Sequence, residues 1–81
     1  MAHIGDLVTV EWVDSHYRSG WTRDNPDTDI SMCISVGWLI HSDSKCKVLS
    51  ANAIIGDTQR CGDMTIPASA VRRIRVVRKC K

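Results

Sequence analysis

A chain of 81 residues has room for one domain and one hydrophobic core, which excludes a second domain and a large catalytic cleft. Hydrophobic residues make up 43% of the sequence and charged residues 25%, a balance that is typical of a globular protein and excludes wholesale disorder. Phenylalanine is absent, and a core that relies on Val, Ile and Leu favours strands over helices. No stretch approaches the roughly 18 apolar residues of a membrane helix, and the N-terminus lacks the features of a signal peptide. We therefore expect a protein of the cytoplasm that does not contact a membrane.

The net charge of +2 conceals an uneven distribution along the sequence. Residues 1–63 carry five basic side chains against nine acidic ones, a net of −4, whereas residues 64–81 carry six basic side chains and no acidic one. Asymmetry of this size indicates either a basic interaction surface or a basic strand that neutralises an acidic loop beside it. The sequence leaves both interpretations open.

Five β-strands are predicted along the chain. Residues 7–13 alternate, with Val8 and Val10 on the apolar face, which is the pattern of a half-buried strand. Residues 33–41 form the most apolar segment, and Gly37 within it marks a bulge or a close approach of another backbone. The remaining predicted elements are strands at residues 46–55, 64–66 and 71–77, a hairpin loop at residues 56–63 and a tight or 3-10 turn at residues 67–70.

The longest predicted connection covers residues 14–29 and is mostly polar. At sixteen residues it exceeds most connections in compact domains, and loops of this length are often functional. Trp21 interrupts the polar sequence, and we expect its ring to fold back onto the core. Tyr17, next to Arg18, is the best candidate for an exposed aromatic side chain.

The order of strands and loops is that of a small five-stranded SH3-like barrel with a long first loop and a 3-10 turn before the last strand. The resemblance is sharpest at residues 64–71. Signalling SH3 domains carry Gly-x-Ile-Pro-Ser-Asn-Tyr-Val there, and this chain has Met-Thr-Ile-Pro-Ala-Ser-Ala-Val. Ala70 stands where those domains place a ligand-stacking tyrosine, so binding of proline-rich peptides is not expected. The predicted fold class is all-β, with residues 1–81 forming a single SH3-like domain.

Over its whole length the chain also resembles small uncharacterised proteins encoded by bacteriophages. These combine Trp-x-Asp-Ser, Gly-Trp, Ser-Val-Gly and Ile-Pro in this order, and the corresponding segments here are residues 12–15, 20–21, 35–37 and 66–67. The resemblance implies a phage accessory protein that acts in the cytoplasm of an infected bacterium. It assigns no catalytic or binding residue.

One acidic pattern resembles the first half of a calcium-binding loop. Asn25, Asp27 and Asp29 alternate as calcium ligands do, but Ile30 stands where glycine is needed and Val36 where a bidentate glutamate is needed. Calcium binding is therefore not expected, and solvated turn carboxylates are the favoured interpretation.

Histidine and cysteine are the other candidate metal ligands or catalytic groups. No two cysteines form a C-x-x-C pair, and no histidine lies at ligand spacing from a cysteine in the sequence. Free thiols, no metal, no cofactor and no enzymatic activity are therefore expected. The side chains concerned are His3, His16, His41, Cys33, Cys46, Cys61 and Cys80.

The leading hypothesis is a non-enzymatic accessory module of a phage that docks to a host protein or sequesters a small nucleotide signal. An anti-defence function is one form of this hypothesis. The alternative is a small nucleic-acid-binding β-barrel that uses the basic C-terminal strand, although its arginines are expected on both strand faces. A third interpretation is a structural component of the virion. A homodimer formed by pairing of last strands also stays open, and the arginines there oppose it. The candidate binding residues are Asp14, His16, Tyr17, Arg18, Trp21, Arg73 and Arg75.

Overall fold

The computed structural model describes residues 1–80, which form one antiparallel sheet with strand order β4-β3-β2-β1-β5. The all-β fold class, the number of strands and the 3-10 turn are confirmed. No helix within residues 1–80 is long and apolar enough to cross a membrane. The elements are β1 (Leu7–Asp14), β2 (Ser31–Ser42), β3 (Cys46–Ala53), β4 (Arg60–Pro67), the 3-10 turn (Ala68–Ala70) and β5 (Val71–Arg78).

The sheet is not closed, so the structure does not confirm an SH3-like barrel. β4 and β5 lie at opposite edges with three strands between them. A barrel requires the two edge strands to pair, and among the described residues β4 pairs with β3 and β5 pairs with β1. Within residues 1–80, the outer edges of β4 and β5 and the part of β2 before Trp38 therefore lack a strand partner.

β2 divides its length between two partners. Its first part pairs with β1, from Ser31 opposite Asp14 to Trp38 opposite Leu7, whereas its ladder with β3 begins only at Trp38. Gly37 lies at this crossing, where an added Cβ would come within 2.8 Å of the Ser50 carbonyl oxygen. The predicted close backbone approach at Gly37 is confirmed.

The core is small because the inward faces of the strands meet over a short length. Val8 and Val10 of β1 are fully buried, as the predicted alternation requires, and they pack with Leu39, Leu49 and Ile66. Trp12 and Trp38 are half-buried. Side chains of β5 and of the 3-10 turn cover part of this cluster; they include Ala70, Val71, Ile74 and Val76.

β4 begins at Arg60, four residues earlier than predicted. Residues 60–63 of the expected hairpin loop at residues 56–63 therefore belong to the strand. Cys61 and Asp63 join the ladder opposite Asn52 and Ser50, although their local sequence is typical of a turn. The buried Ser50 hydroxyl donates to the Cys61 carbonyl at 3.1 Å, which fixes this part of β4 from the inside. Gly62 between them adopts a φ of +84°, a value that glycine tolerates.

The buried Asp6 carboxylate joins the two ends of the chain. It accepts the backbone N–H of Cys80 at 2.7 Å and that of His3 at 2.8 Å. These two hydrogen bonds, that of Cys80 first, hold the pKa of Asp6 below its ordinary value. The segment after β5 is thereby tied to the turn that precedes β1.

The molecule is elongated, with extents of 56 × 24 × 20 Å and a radius of gyration of 15.8 Å. A compact domain of this length has a radius of gyration of about 12 Å. Residues 14–30 and residues 51–65 are exposed throughout, and they form the ends of the β1–β2 and β3–β4 hairpins. Both hairpins therefore project beyond the part of the sheet that contains the core.

Candidate functional site

Residues 15–30, which we call the arm loop, connect β1 to β2 without regular secondary structure. Short side-chain hydrogen bonds shape its turns. Thr22 Oγ1 accepts the backbone N–H of Asp24 at 3.0 Å, and Asp27 Oδ1 accepts that of Asp29 at 3.0 Å. Such turns are local alternatives to helix and strand, and they give this polar sequence a defined backbone path.

Two nested ion pairs fold the arm loop back on itself. His16 Nε2 lies 3.1 Å from Asp27 Oδ2, and Arg18 Nη2 lies 3.1 Å from Asp24 Oδ2. Each pair joins the first half of the loop to the second half, so the loop continues the hairpin in irregular form. All four side chains are partly exposed, and exposed pairs of this kind contribute about 0–1 kcal/mol each.

The arm loop presents two aromatic rings to solvent. Trp21 has a relative exposure of 105% and Tyr17 of 88%. The prediction for Tyr17 is confirmed, whereas the expectation that Trp21 folds onto the core is wrong. Trp21 lies between the two members of the Arg18–Asp24 pair in the sequence, so the pair holds it at the far end of the loop.

The arginines of β5 lie along one face of the sheet. Arg73 is opposite Glu11, Arg75 opposite Thr9 and Arg78 opposite Leu7, and these three β1 residues alternate with the buried valines. Arg73 and Arg75 share this face by the alternation of the strand, and the register irregularity between Leu7 and Val8 brings Arg78 onto the same face. The prediction that the arginines divide between both faces is wrong for Arg78, whereas Arg72 lies at the second irregularity and has no partner among the described residues of β1.

No ion pair joins the acidic loop to the basic strand within residues 1–80. The four ion pairs of residues 1–80 do not involve the β5 arginines, and Asp24 and Asp27 are paired inside the arm loop. Along β1, Asp14 lies three residues beyond Glu11, the residue opposite Arg73, which is roughly 10 Å in a strand. The seven predicted binding residues thus form two patches, one on the arm loop and one on β5.

An apolar row on β2 was not recognised as exposed from the sequence. Met32, Ile34 and Val36 have relative exposures of 65%, 68% and 63%, and Ile30 at the end of the arm loop has one of 60%. The three residues of β2 lie on the outer face, which we define as the face that also carries Glu11, Arg73, Arg75 and Arg78. The signal was present, because the alternate positions in this segment hold only serine, cysteine and glycine.

The β2–β3 turn brings a histidine and a cysteine close together, which the sequence spacing did not indicate. Ligand atoms of His41, Asp43 and Cys46 all lie within 4.8 Å of one another. However, His41 Nε2 donates to Asp43 Oδ2 at 2.7 Å, and Asp43 Oδ1 accepts the N–H groups of Lys45 and Cys46 at 2.8 Å each. The His41 hydrogen bond, followed by those two, lowers the pKa of Asp43 to about 2. The proximity of these three residues is therefore explained by the hydrogen bonds that stabilise the β2–β3 turn.

A broad open cleft of about 830 Å³ lies between the chain ends and the core. It is lined by apolar Leu39, Ile74 and Val76, and by the basic side chains Lys47 and Lys79. None of the seven predicted binding residues lines this cleft. The cleft and the two patches are thus different parts of the molecule.

No protein-family model, no curated protein and no solved structure matches this chain. Its function therefore has to be inferred from the geometry of the arm loop, the β5 arginines and the apolar row. The resemblance to bacteriophage proteins depends on the sequence motifs alone.

Proposed function

We propose that this chain is a non-enzymatic module that binds a partner protein through the arm loop. The observation that carries the proposal is the exposure of Trp21 (105%) and Tyr17 (88%) on a projecting loop whose two halves are joined by the His16–Asp27 and Arg18–Asp24 contacts. Tryptophan, tyrosine and arginine are the residues that most often dominate the energy of protein interfaces. Burial of one large ring of about 200 Å² provides a gross gain of about 5 kcal/mol.

The shape of the arm loop favours a protein partner over a small nucleotide. Residues 14–30 are exposed throughout, whereas small-molecule sites are concave and bury about 70–90% of their ligand. A projecting loop instead fits a groove on another protein. Because the sequence resembles bacteriophage proteins, we propose a protein of the bacterial host, such as a defence protein, as the partner in the cytoplasm of the infected cell.

A pull-down from host lysate with paired variants tests this function. Trp21→Ala should lose the captured partner, because it removes the most exposed ring of the loop. Ile55→Ala is the matched control, since Ile55 is 102% exposed at the turn of the other hairpin and should retain the partner. The proposal fails if the wild-type chain captures nothing reproducibly, or if both variants capture the same protein equally.

A second candidate function is nucleic-acid binding through the β5 arginines. It is favoured by the alignment of Arg73, Arg75 and Arg78 on one face, with no ion pair to any of them within residues 1–80. Three phosphate contacts predict that log K falls with log salt at a slope of about −2.7 for duplex DNA. A salt titration of oligonucleotide binding measures this slope, and the absence of binding at low salt would exclude this candidate.

We also propose that the open sheet is a variant of the SH3-like architecture. The support is the antiparallel meander of β1 to β4, the return of β5 to the free side of β1, and a 3-10 turn that directly follows Ile66 and Pro67. In this variant the edge strands have separated, and the surfaces available for binding are correspondingly larger.

A further inference from the structure

Residues 31–37 of β2, which we call the free edge, lack a strand partner on the side away from β1. The β2–β3 ladder begins at Trp38, so the backbone groups of the free edge that point away from β1 have no ladder bonds in the described chain. β4 approaches the second half of this segment, where Ser35 Oγ lies 3.5 Å from Met64 Sδ, and Val36 lines a shallow cavity with Ala51 and Gly62. The outer face of the free edge remains exposed at Met32, Ile34 and Val36.

The free edge also lacks the charged and proline residues that keep strand edges from pairing. Natural edges are protected by charged side chains, by proline or by a covering element. The sequence of the free edge is Ser-Met-Cys-Ile-Ser-Val-Gly, without charge or proline. The other two edges are protected, β4 by Arg60, Asp63 and Pro67, and β5 by Arg72, Arg73, Arg75 and Arg78.

The exposed area is larger than a monomer of this mass requires. The surface is 6542 Å², whereas a compact monomer of 9.0 kDa exposes about 4,900 Å². The difference of roughly 1,700 Å² exceeds the roughly 800 Å² per partner that a standard interface buries. The outward side chains of the free edge belong to this exposed surface, since Met32, Ile34 and Val36 are 65%, 68% and 63% exposed.

We propose that two copies of this chain associate by antiparallel pairing of their free edges. In a pair centred on Ile34, that residue faces Ile34 of the second copy, and Met32 faces Val36 of the second copy. Apolar side chains then oppose apolar side chains at every outward position, and the two-fold symmetry places no like charges opposite each other. The segment is neutral, and its apolar side chains oppose one another when two copies pair antiparallel. A second copy therefore fits this edge better than a strand with charged side chains would.

The pairing leaves the arm loop and the β5 arginines available, because they belong to other parts of the chain. The inference is independent of the proposed function. A monomer that still captures its partner would contradict only the dimer, whereas a dimer that captures nothing would contradict only the partner-binding function.

Sedimentation equilibrium of the full chain over a wide concentration range tests the dimer. The wild type should approach twice the chain mass of 9.0 kDa. Ile34→Lys places two like charges at the symmetry axis and should raise the dissociation constant at least about tenfold, equivalent to about 1.4 kcal/mol. Ile34→Thr keeps the β-branched shape and should weaken the dimer to a smaller extent. Circular dichroism verifies that each variant is folded.

Val77→Lys is the matched control, because Val77 is 59% exposed on β5 and lies outside the free edge. This variant should remain dimeric like the wild type. A wild type that is monomeric at its highest soluble concentration would overturn the proposal. So would a folded Ile34→Lys or Ile34→Thr variant with an unchanged dissociation constant, or a Val77→Lys variant as weakened as Ile34→Lys.

Discussion

Replacement of Gly37 by alanine should destabilise the sheet. Gly37 lies where β2, which up to this point pairs only with β1, begins to pair with β3 as well. The new Cβ would lie 2.8 Å from the Ser50 carbonyl oxygen and 3.1 Å from Leu49 Cβ. Both neighbours belong to buried residues of β3, so the strands must separate to accept the methyl group. Overpacking of this kind costs about 1–3 kcal/mol, and the lower backbone entropy of alanine in the unfolded chain offsets about 0.5–1 kcal/mol.

The expected net loss for Gly37→Ala is about 1–2 kcal/mol, which lowers the Tm by about 4–16 °C in a domain of this size. Thermal unfolding followed by circular dichroism measures the shift. Val77→Ala is the control, because an exposed side chain on β5 should change stability by no more than about 0.5 kcal/mol. A Gly37→Ala variant as stable as the wild type would show that β2 and β3 do not approach closely at this crossing.

Three further variants test the core, the β2–β3 turn and the junction of the chain ends. Leu39→Ala should lower the free energy of unfolding by about 2–5 kcal/mol in urea titrations, because Leu39 is 1% exposed, and a smaller loss would contradict its place in the core. The carboxyl of Asp43 should titrate near pH 2 by NMR, and His41→Ala should raise that pKa toward its ordinary value. An unchanged Asp43 pKa in His41→Ala would refute the assigned cause. Because the folded-state pKa of Asp43 is lowered, its contribution to stability is present above about pH 4 and is lost as the pH falls toward 2. Asp6→Asn should lower the Tm and reduce the loss of stability on acidification, since its amide offers one acceptor oxygen in place of the two that accept the Cys80 and His3 N–H groups. A Tm equal to that of the wild type would contradict this pair of contacts.

The strands were predictable where local pattern and tertiary environment agree. Val8 and Val10 alternate with polar residues, and the structure buries both because β1 is the strand between β2 and β5. Gly37 was identified as a close approach because glycine inside an apolar strand indicates that there is no room for a side chain. The 3-10 turn follows Pro67, whose ring restricts the backbone at the end of β4.

Features that depend on contacts distant in sequence could not be predicted. Arg78 shares a face with Arg73 and Arg75 only because a register irregularity between Leu7 and Val8 of β1 realigns it. Trp21 lies in solvent at the far end of a loop whose two halves are joined by the Arg18–Asp24 pair, although an isolated aromatic in a polar loop usually returns to the core. The start of β4 at Arg60 depends on a ladder with β3 that the turn-like sequence does not reveal.

The inward face of β2 shows why the apolar row was missed. Cys33 lies opposite Trp12 and Ser35 opposite Val10, and Ser35 Oγ accepts the Trp12 indole N–H at 3.0 Å. The large residues of β1 already fill this side, so small residues suffice on β2. The larger side chains of the same segment consequently lie on the outer face, although hydrophobicity alone would place them in the core.

Hydrogen exchange measured residue by residue at low and at high protein concentration tests the central claim most directly, namely that the exposed β2 edge is an interface. In an isolated chain, alternate amides of residues 31–37 face solvent and should exchange rapidly. If two free edges pair, exchange of these amides should slow as the protein concentration rises, while the amides of residues 15–30 remain unprotected. Exchange of residues 31–37 at the same rate at both concentrations would contradict this claim.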